Sequence, residues 1–269
     1  MKILFIGDIV GEPGRNALSE HMDQLKSSLS PDLIIANAEN SAHGFGLTEK
    51  ICKGLYELGV DCITTGNHVW DQREMLSYID RDKSVIRAAN FPDGAPGQGG
   101  CVKTLQNGKK ILVLHLMGRL FMDAMDDPFT CADKYLSKYK LGSGIDAIFI
   151  DFHAEATSEK MAFAHYVDGR VSGVVGTHTH IPTADAQILE GGTAFQCDAG
   201  MTGNYNSVIG MDKKVPVERF VKKVPGKHRM SPAKGEGTVC GVFLQTDDMT
   251  GLAKEIRPVR IGPRLISTV

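Results

Sequence analysis

Lys2-Ile3-Leu4-Phe5-Ile6-Gly7-Asp8 runs four consecutive apolar residues into a glycine and then a carboxylate. An apolar run of this length, closed by a turn residue, predicts a buried strand. The acid that follows falls where open α/β sheets present their ligands, outside the carboxyl end of a strand. The same arrangement recurs along the chain. Asp32 to Ala36 (DLIIA) leads to Glu39-Asn40, and Asp61 to Thr65 (DCITT) leads to Asn67-His68. Ile148 to Phe152 leads into His153, and Val171 to Gly176 into His178 and His180. Helical spacing fills the gaps between the early strands. Leu18, Met22, Leu25 and Leu29 form one stripe within Arg15 to Leu29, and Thr48 to Leu58 and Asp71 to Ile79 are also read as helices. With a strand at Val85 to Ala88, this rhythm predicts a sheet covered by helices.

Beyond that point the spacing changes. Residues 90–108, rich in Gly, Pro, Asn and Gln, read as a long loop leading into a hairpin. Strands are predicted at Lys110 to Leu116, Asp146 to Phe152, Val171 to Gly176, Gln187 to Glu190, Thr193 to Cys197 and Gly237 to Thr246. Strands so closely spaced predict a second sheet packed on the first. No repeat or separating linker is visible, so residues 1–269 are expected to form one domain. The expected fold class is α/β, a two-sheet α-β-β-α sandwich.

Composition narrows the function classes. A hydrophobic content of 42% and a charged content of 23% are ordinary for a globular protein. The formal net charge of −2 argues against a surface that traps nucleic acid or anionic membrane as a whole. Locally the balance differs, since residues 213–234 carry eight Lys or Arg against one acid, Glu218. That stretch reads either as a solvated basic excursion or as a flap attracting a phosphate-bearing substrate. The six cysteines are scattered with no C-x-x-C pair, which predicts reduced thiols. The first apolar run is too short for a signal-peptide core, and no stretch approaches the roughly 18 apolar residues of a membrane span. A cytoplasmic location is expected.

Each strand-end motif alone has an ordinary structural explanation. A Gly-Asp can cap a helix, an Asn-His pair can serve a turn, and a lone histidine is often a satisfied core residue. The segment Gly176-Thr177-His178-Thr179-His180 carries more information, because an H-x-H pair at a strand end can aim both imidazoles at neighbouring ions. Recurrence at successive strand ends is what caps and turns do not explain. Imidazole, carboxylate and amide oxygen without thiolate suit Fe, Mn, Zn or Co more than Ca²⁺ or a cysteine-rich structural zinc. One carboxylate can bridge two ions about 3.5–4 Å apart; such a pair lowers the pKa of a shared water and clamps a phosphoryl group for in-line attack. Phosphate-ester hydrolysis is the expected chemistry.

In order, GD, AEN, GNH, DFH and GTHTH resemble the calcineurin-like metallophosphoesterase superfamily, and more specifically its bacterial YmdB branch of cyclic-nucleotide phosphodiesterase-like proteins. The matching segments are GDIVGEPGR (7–15), ANAENSAHGFGLT (36–48), TGNHVWD (65–71), NFP (90–92), LMGRLFM (116–122), DFHAEATSEK (151–160), GTHTHIPTAD (176–185) and CDAGMTG (197–203). The wider superfamily usually opens with Asp-x-His and bridges its ions with an aspartate. Here Ile9 and Val10 follow Asp8, and the corresponding strand end offers Glu39-Asn40. The resemblance implies that Glu39 bridges and that Asn40 replaces the missing histidine. Metal one would then be held by Asp8, Glu39, Asn40 and His180, and metal two by Glu39, Asn67, His153 and His178. It further implies two transition-metal ions, iron first with manganese or zinc as alternatives, and a metal-bridging hydroxide as nucleophile. His68 becomes the general acid, a role that suits an imidazole near neutral pH; a phosphate-binding donor is its alternative role.

Among other polar residues, His43 is expected to line the pocket and Arg119 to meet substrate phosphate, with a surface role as the alternative for each. His115 reads as core, while His21, His165 and His228 have no assigned chemistry. The expected partners are a cyclic nucleotide or an RNA end and a further copy of the chain, with no membrane. The competing reading is a metal-bearing regulatory protein with a weak or vestigial hydrolase site. Gly7, Gly11 and Gly14 suggest a dinucleotide fold only superficially, because the first G-x-G is missing and Asp8 opposes a pyrophosphate. A Walker Gly-Lys-Ser/Thr loop is absent from the sequence.

Overall fold

The computed structural model describes residues 1–223 and 229–269, so His228 and Lys227 of the basic stretch lie outside the described residues. In chain order the elements are β1 (Lys2–Ile6), α1 (Gly11–Leu29), β2 (Leu33–Asn37), α2 (Glu49–Glu57), β3 (Cys62–Thr64), α3 (Met75–Tyr78) and β4 (Val85–Ile86). They continue as β5 (Gly100–Thr104), β6 (Lys110–Met117), α4 (Pro128–Lys138), β7 (Ala147–His153), α5 (Thr157–Tyr166) and β8 (Gly173–Thr177). The last are β9 (Gln187–Ile188), β10 (Ala194–Gln196), α6 (Lys214–Lys222), β11 (Val239–Thr246) and β12 (Ala253–Ile261).

Two six-stranded sheets result, ordered β12-β11-β1-β2-β3-β4 and β5-β6-β7-β8-β10-β9. β1 to β4 run parallel, as do β6, β7, β8 and β10, so their carboxyl ends share one edge in each sheet. Strand alternation sorts the side chains into layers. Ile3, Phe5, Leu33, Ile35 and Cys62 point between the sheets and meet Ile111, Val113, Phe149 and Val175 of the other sheet. The Phe5 and Phe149 rings pack 5.1 Å apart across this layer. Leu4, Ile6, Ile34, Ala36 and Ile63 point the other way, onto Leu18, Met22 and Leu25 of α1 and Cys52 and Leu55 of α2. On the outer face of the second sheet, Leu112, Leu114, Ile148, Ile150 and Phe152 are covered by Ala132 and Leu136 of α4 and Phe163 and Ala164 of α5. Both faces of the central strands are buried, which is why they read as continuous apolar runs. This is the α-β-β-α sandwich.

The differences from expectation have local causes. α1 begins at Gly11, ahead of Arg15, because Pro13 is tolerated in a first turn and Gly14 packs where a Cβ would overlap the Thr202 carbonyl. α3 is shorter than Asp71 to Ile79, since Asp71 closes a turn on His68 and Gln72 Nε2 donates to the Phe45 carbonyl at 2.8 Å. α5 escapes notice because Glu159 and Lys160 are buried on it, and β12 because Lys, Glu, Arg and Pro interrupt it as an edge strand. The basic stretch begins as the helix α6. Among the described residues no helix is long and apolar enough to cross a membrane.

Candidate metal centre

The inter-sheet layer changes character at the carboxyl edge. Two residues beyond the apolar row, the same inward-facing positions become Asn37, Thr64, His115, Asp151 and Thr177, all fully buried. Asp151 ties this polar layer together. Its Oδ2 accepts from Thr64 Oγ1 at 2.5 Å and Asn37 Nδ2 at 3.0 Å, and its Oδ1 accepts from Thr177 Oγ1 at 2.7 Å. His115 Nδ1 donates to the Asp151 carbonyl at 3.1 Å, in keeping with a core role. The donors from five strand ends sit directly above.

His153 Nε2 lies 3.2 Å from Glu39 Oε1, 3.0 Å from Asn67 Oδ1 and 3.1 Å from His178 Nδ1. A single ring nitrogen carries at most one proton, so it cannot satisfy three such neighbours. Atoms so gathered match a shared cation. Beside them, Asp8, Glu39 and His180 form a second group of converging ligand atoms, and Glu39 belongs to both. Asn40 Oδ1 is 3.2 Å from His180 Nε2, with its amide held by the Gly44 carbonyl at 3.0 Å. Asp8 Oδ1 is buried and makes no hydrogen bond among the described residues. Gly66 has no room for a side chain, because a Cβ there would overlap Glu39 Oε2 and His153 Nε2.

The histidine tautomers agree with this geometry. His153 Nδ1 donates to Thr177 Oγ1 at 2.8 Å, since that hydroxyl spends its own proton on Asp151. His180 Nδ1 donates to the Ile209 carbonyl at 2.8 Å. His178 Nε2 meets Glu155 Oε2 at 3.1 Å. Each ring therefore has its remote nitrogen tied to an acceptor and its other lone pair aimed at the cluster, the usual outer arrangement around metal-bound imidazoles.

Electrostatics show what the cluster lacks without a cation. Burial pushes the Asp8 carboxyl up, only partly offset by His180 and His153. Burial works the same way on Glu39, but His153 and the His68 N–H outweigh it and hold that carboxyl below the usual range. Burial opposes charge on His153, yet Glu39 and Asp8 raise it to about 9. His178 is pushed down to about 3 by burial and by His153. In the metal-free chain His153 is thus the compensating positive charge. These residues fit a pair of transition-metal ions.

His68 stands at the rim. Its N–H donates to Glu39 Oε2 at 3.1 Å, its Nδ1 meets Asp71 Oδ2 at 2.8 Å, and its ring packs edge-on against Phe45 at 5.0 Å. Nε2 is left as the atom able to act in the cavity. That cavity, about 760 Å³, is floored by Glu39, Asn40, His68, His178 and His180.

Two expected contacts are not brought in. His43 is exposed in a left-handed turn (φ 56°), and Phe45 lines the cavity in its stead. Arg119 pairs with Asp127 at 3.2 Å on the surface, and its backbone N–H donates to Glu159 Oε1 at 2.9 Å. Sequence reading also missed supporting residues. Asp151 carried a signal, an acid inside an apolar strand two residues before His153; Glu155 and the Ile209 carbonyl carried none.

With this geometry in view, the comparisons are specific. A family model described as YmdB-like protein matches residues 4–259. A Bacillus subtilis (strain 168) protein named 2′,3′-cyclic-nucleotide 2′-phosphodiesterase is 47% identical over 262 residues, covering 97% of each chain. A crystal structure of a hypothetical protein from Thermus thermophilus superposes with a TM-score of 0.91 at 40% identity, covering 98% of this chain and 100% of that one. Another, described as a novel phosphatase from Mycoplasma pneumoniae, gives 0.90 at 34% identity, over 97% and 93% of the two chains. Matching along nearly its whole length and in fold, the chain belongs to the YmdB-like family.

Proposed function

We propose that this chain is a metal-dependent phosphodiesterase that hydrolyses cyclic nucleotides at a pair of transition-metal ions. The observation that carries this reading is the convergence of two donor groups on one shared, buried carboxylate, Glu39. Asp8, Glu39, Asn40 and His180 would hold one ion, and Glu39, Asn67, His153 and His178 the other. The donor chemistry suits iron, manganese or zinc alike, and the resemblance to the family favours iron among them. Bound there, such ions supply an activated water and charge neutralisation for the phosphoryl group. The name of the Bacillus subtilis relative points to a 2′,3′-cyclic phosphate, and 3′,5′-cyclic nucleotides are the second candidate.

The protein's own residues supply the rest. Asp71 fixes the His68 ring through Nδ1 and balances its charge, so Nε2 can protonate the departing sugar oxygen. The buried Asp151–Thr177 chain keeps His153 in the tautomer whose Nε2 lone pair faces the cluster. Hydrolysis of 2′,3′- and 3′,5′-cyclic AMP and of bis-p-nitrophenyl phosphate by iron- or manganese-loaded protein tests this. Turnover of the cyclic nucleotides is expected; no turnover with any metal would leave a regulatory metal-binding protein as the better description.

A further inference from the structure

The wall of the cavity opposite the donors is one stripe of α6. Pro216, Arg219, Phe220 and Lys223 recur at helical spacing and all line it. Lys213, Lys214, Val217 and Lys222 are on the other side of the helix. Phe220 is 70% exposed, although it has an apolar wall beside it in Met211, Met230 and Ile209. The Lys223 ammonium lies 5.7 Å from the Phe220 ring centre. Among the described residues Arg219 meets only the Met230 sulfur, at 3.9 Å, and neither cation pairs with a carboxylate. Arg219 and Lys223, in a chain whose net charge is −2, thus face a cavity whose floor is formed by the proposed metal donors.

A cyclic phosphate bound at the floor needs neither an exposed aromatic ring nor two further cations. An open aromatic face beside an apolar wall takes a nucleobase, and adjacent unpaired cations take a backbone phosphate. We propose that α6 recognises an oligonucleotide end, with the terminal base stacked on Phe220 and the preceding phosphodiester held by Arg219 and Lys223. The preferred substrate is then an RNA 3′ end closed as a 2′,3′-cyclic phosphate, rather than a free mononucleotide. This rests on the phosphodiesterase reading and names the substrate class for that site.

The test compares adenosine 2′,3′-cyclic phosphate with the dinucleotide ApA carrying a terminal 2′,3′-cyclic phosphate, in wild-type protein, F220A and the double variant R219A/K223A. Binding of the 3′-phosphate products, 3′-AMP and ApAp, is measured in parallel by calorimetry. Methyl 4-nitrophenyl phosphate, which has no base and one phosphate, reports on the metal centre separately. Wild-type protein is expected to favour the dinucleotide in both KM and Kd. F220A should weaken both nucleotides about tenfold, the scale of one base–aromatic stack. R219A/K223A should weaken ApAp selectively and lower the salt slope of its binding by about one. Equal affinity of wild-type protein for 3′-AMP and ApAp would overturn the proposal, as would a loss in the double variant that is the same for both. If methyl 4-nitrophenyl phosphate is hydrolysed and neither cyclic nucleotide is, the phosphodiesterase reading itself has failed on its substrate.

Discussion

Replacing Lys160 with methionine tests how the H-x-H turn is held. Lys160 is buried on α5, and its ammonium donates to Asp198 Oδ2 and to the Thr177 carbonyl, both at 2.8 Å. Asp198 in turn accepts from the Thr179 N–H at 3.1 Å, the Thr179 hydroxyl at 2.7 Å and the Gly200 N–H at 2.8 Å. The residues on either side of Thr179, His178 and His180, adopt left-handed conformations with φ of 95° and 68°. Such backbone costs roughly 1–3 kcal/mol per residue unless the surroundings hold it. Methionine keeps the unbranched apolar stem, one atom shorter, and removes the charge, leaving Asp198 buried beside neutral donors only. Removing one partner of a buried pair costs about 3–5 kcal/mol. At roughly 2–4 °C per kcal/mol for a chain of this size, the melting temperature should fall by about 10 °C. The measurement is urea and thermal unfolding with chelator present, so that metal binding does not add to apparent stability. Metal affinity should also drop on the order of 10–100-fold, because His178 and His180 lose their fixed aim. In the double variant K160M/D198N the stranded charge is gone, and about 2 kcal/mol should return as coupling. A K160M protein within about 1 kcal/mol of the parent, or strictly additive losses in the double variant, would refute this account.

Glu39→Gln should deplete both ions, because one carboxylate serves both donor groups; two ions per chain in metal analysis of anaerobically purified variant would contradict the bridging role. His68→Ala should retain metal and lose about 10²–10⁴-fold in turnover of cyclic nucleotides, far more than with an activated nitrophenolate leaving group. Equal losses with both would count against proton donation. His153, raised to about 9 in the folded metal-free chain, contributes stability that is complete below its unfolded value near 6.5 and lost as pH rises through 9. Metal-free protein should therefore lose stability between about pH 6.5 and 9, and metal uptake at pH 7 should release protons, seen as a buffer-dependent calorimetric enthalpy. No proton release at pH 7 would contradict a charged His153.

The strand ends are legible in the sequence because each couples an apolar run to a donor within a few residues, and parallel strands bring their carboxyl ends to one edge. Asp8, Glu39, His153, His178 and His180 could be gathered that way without knowing which strands pair. The supporting groups resist such reading, since their partners come from remote parts of the chain. The acceptor for His180 is a main-chain carbonyl at Ile209, and Lys160 on α5 finds Asp198 beyond β10. The α6 stripe was visible only as basic composition; its meaning depends on the helix being seated over the donors, which is a tertiary fact. His43 and Arg119 show the converse. Both have suitable chemistry near matching segments, yet His43 is exposed in a left-handed turn and Arg119 pairs with Asp127 at the surface.

Position 10 links the donor set to the wall above it. The wider superfamily usually carries histidine there, two residues after the first aspartate. Here Val10 is buried against Met201 and Met211, in a cluster that also takes in Phe45 and Met230. Phe45, Met211 and Met230 line the cavity. An imidazole at this position would have to leave that cluster to reach the ions, removing support from the apolar wall beside Phe220. On the ligand set proposed above, Asn40 would serve in the missing histidine's stead; its amide is fixed by Gly44 so that its oxygen faces His180 Nε2. An amide oxygen is a weaker donor than imidazole, though both are neutral, so the first ion would keep more of its Lewis acidity for the phosphoryl group. On this reasoning the departure from Asp-x-His serves two ends at once, an apolar footing for the wall where a base would stack and a more Lewis-acidic ion where the phosphate would bind.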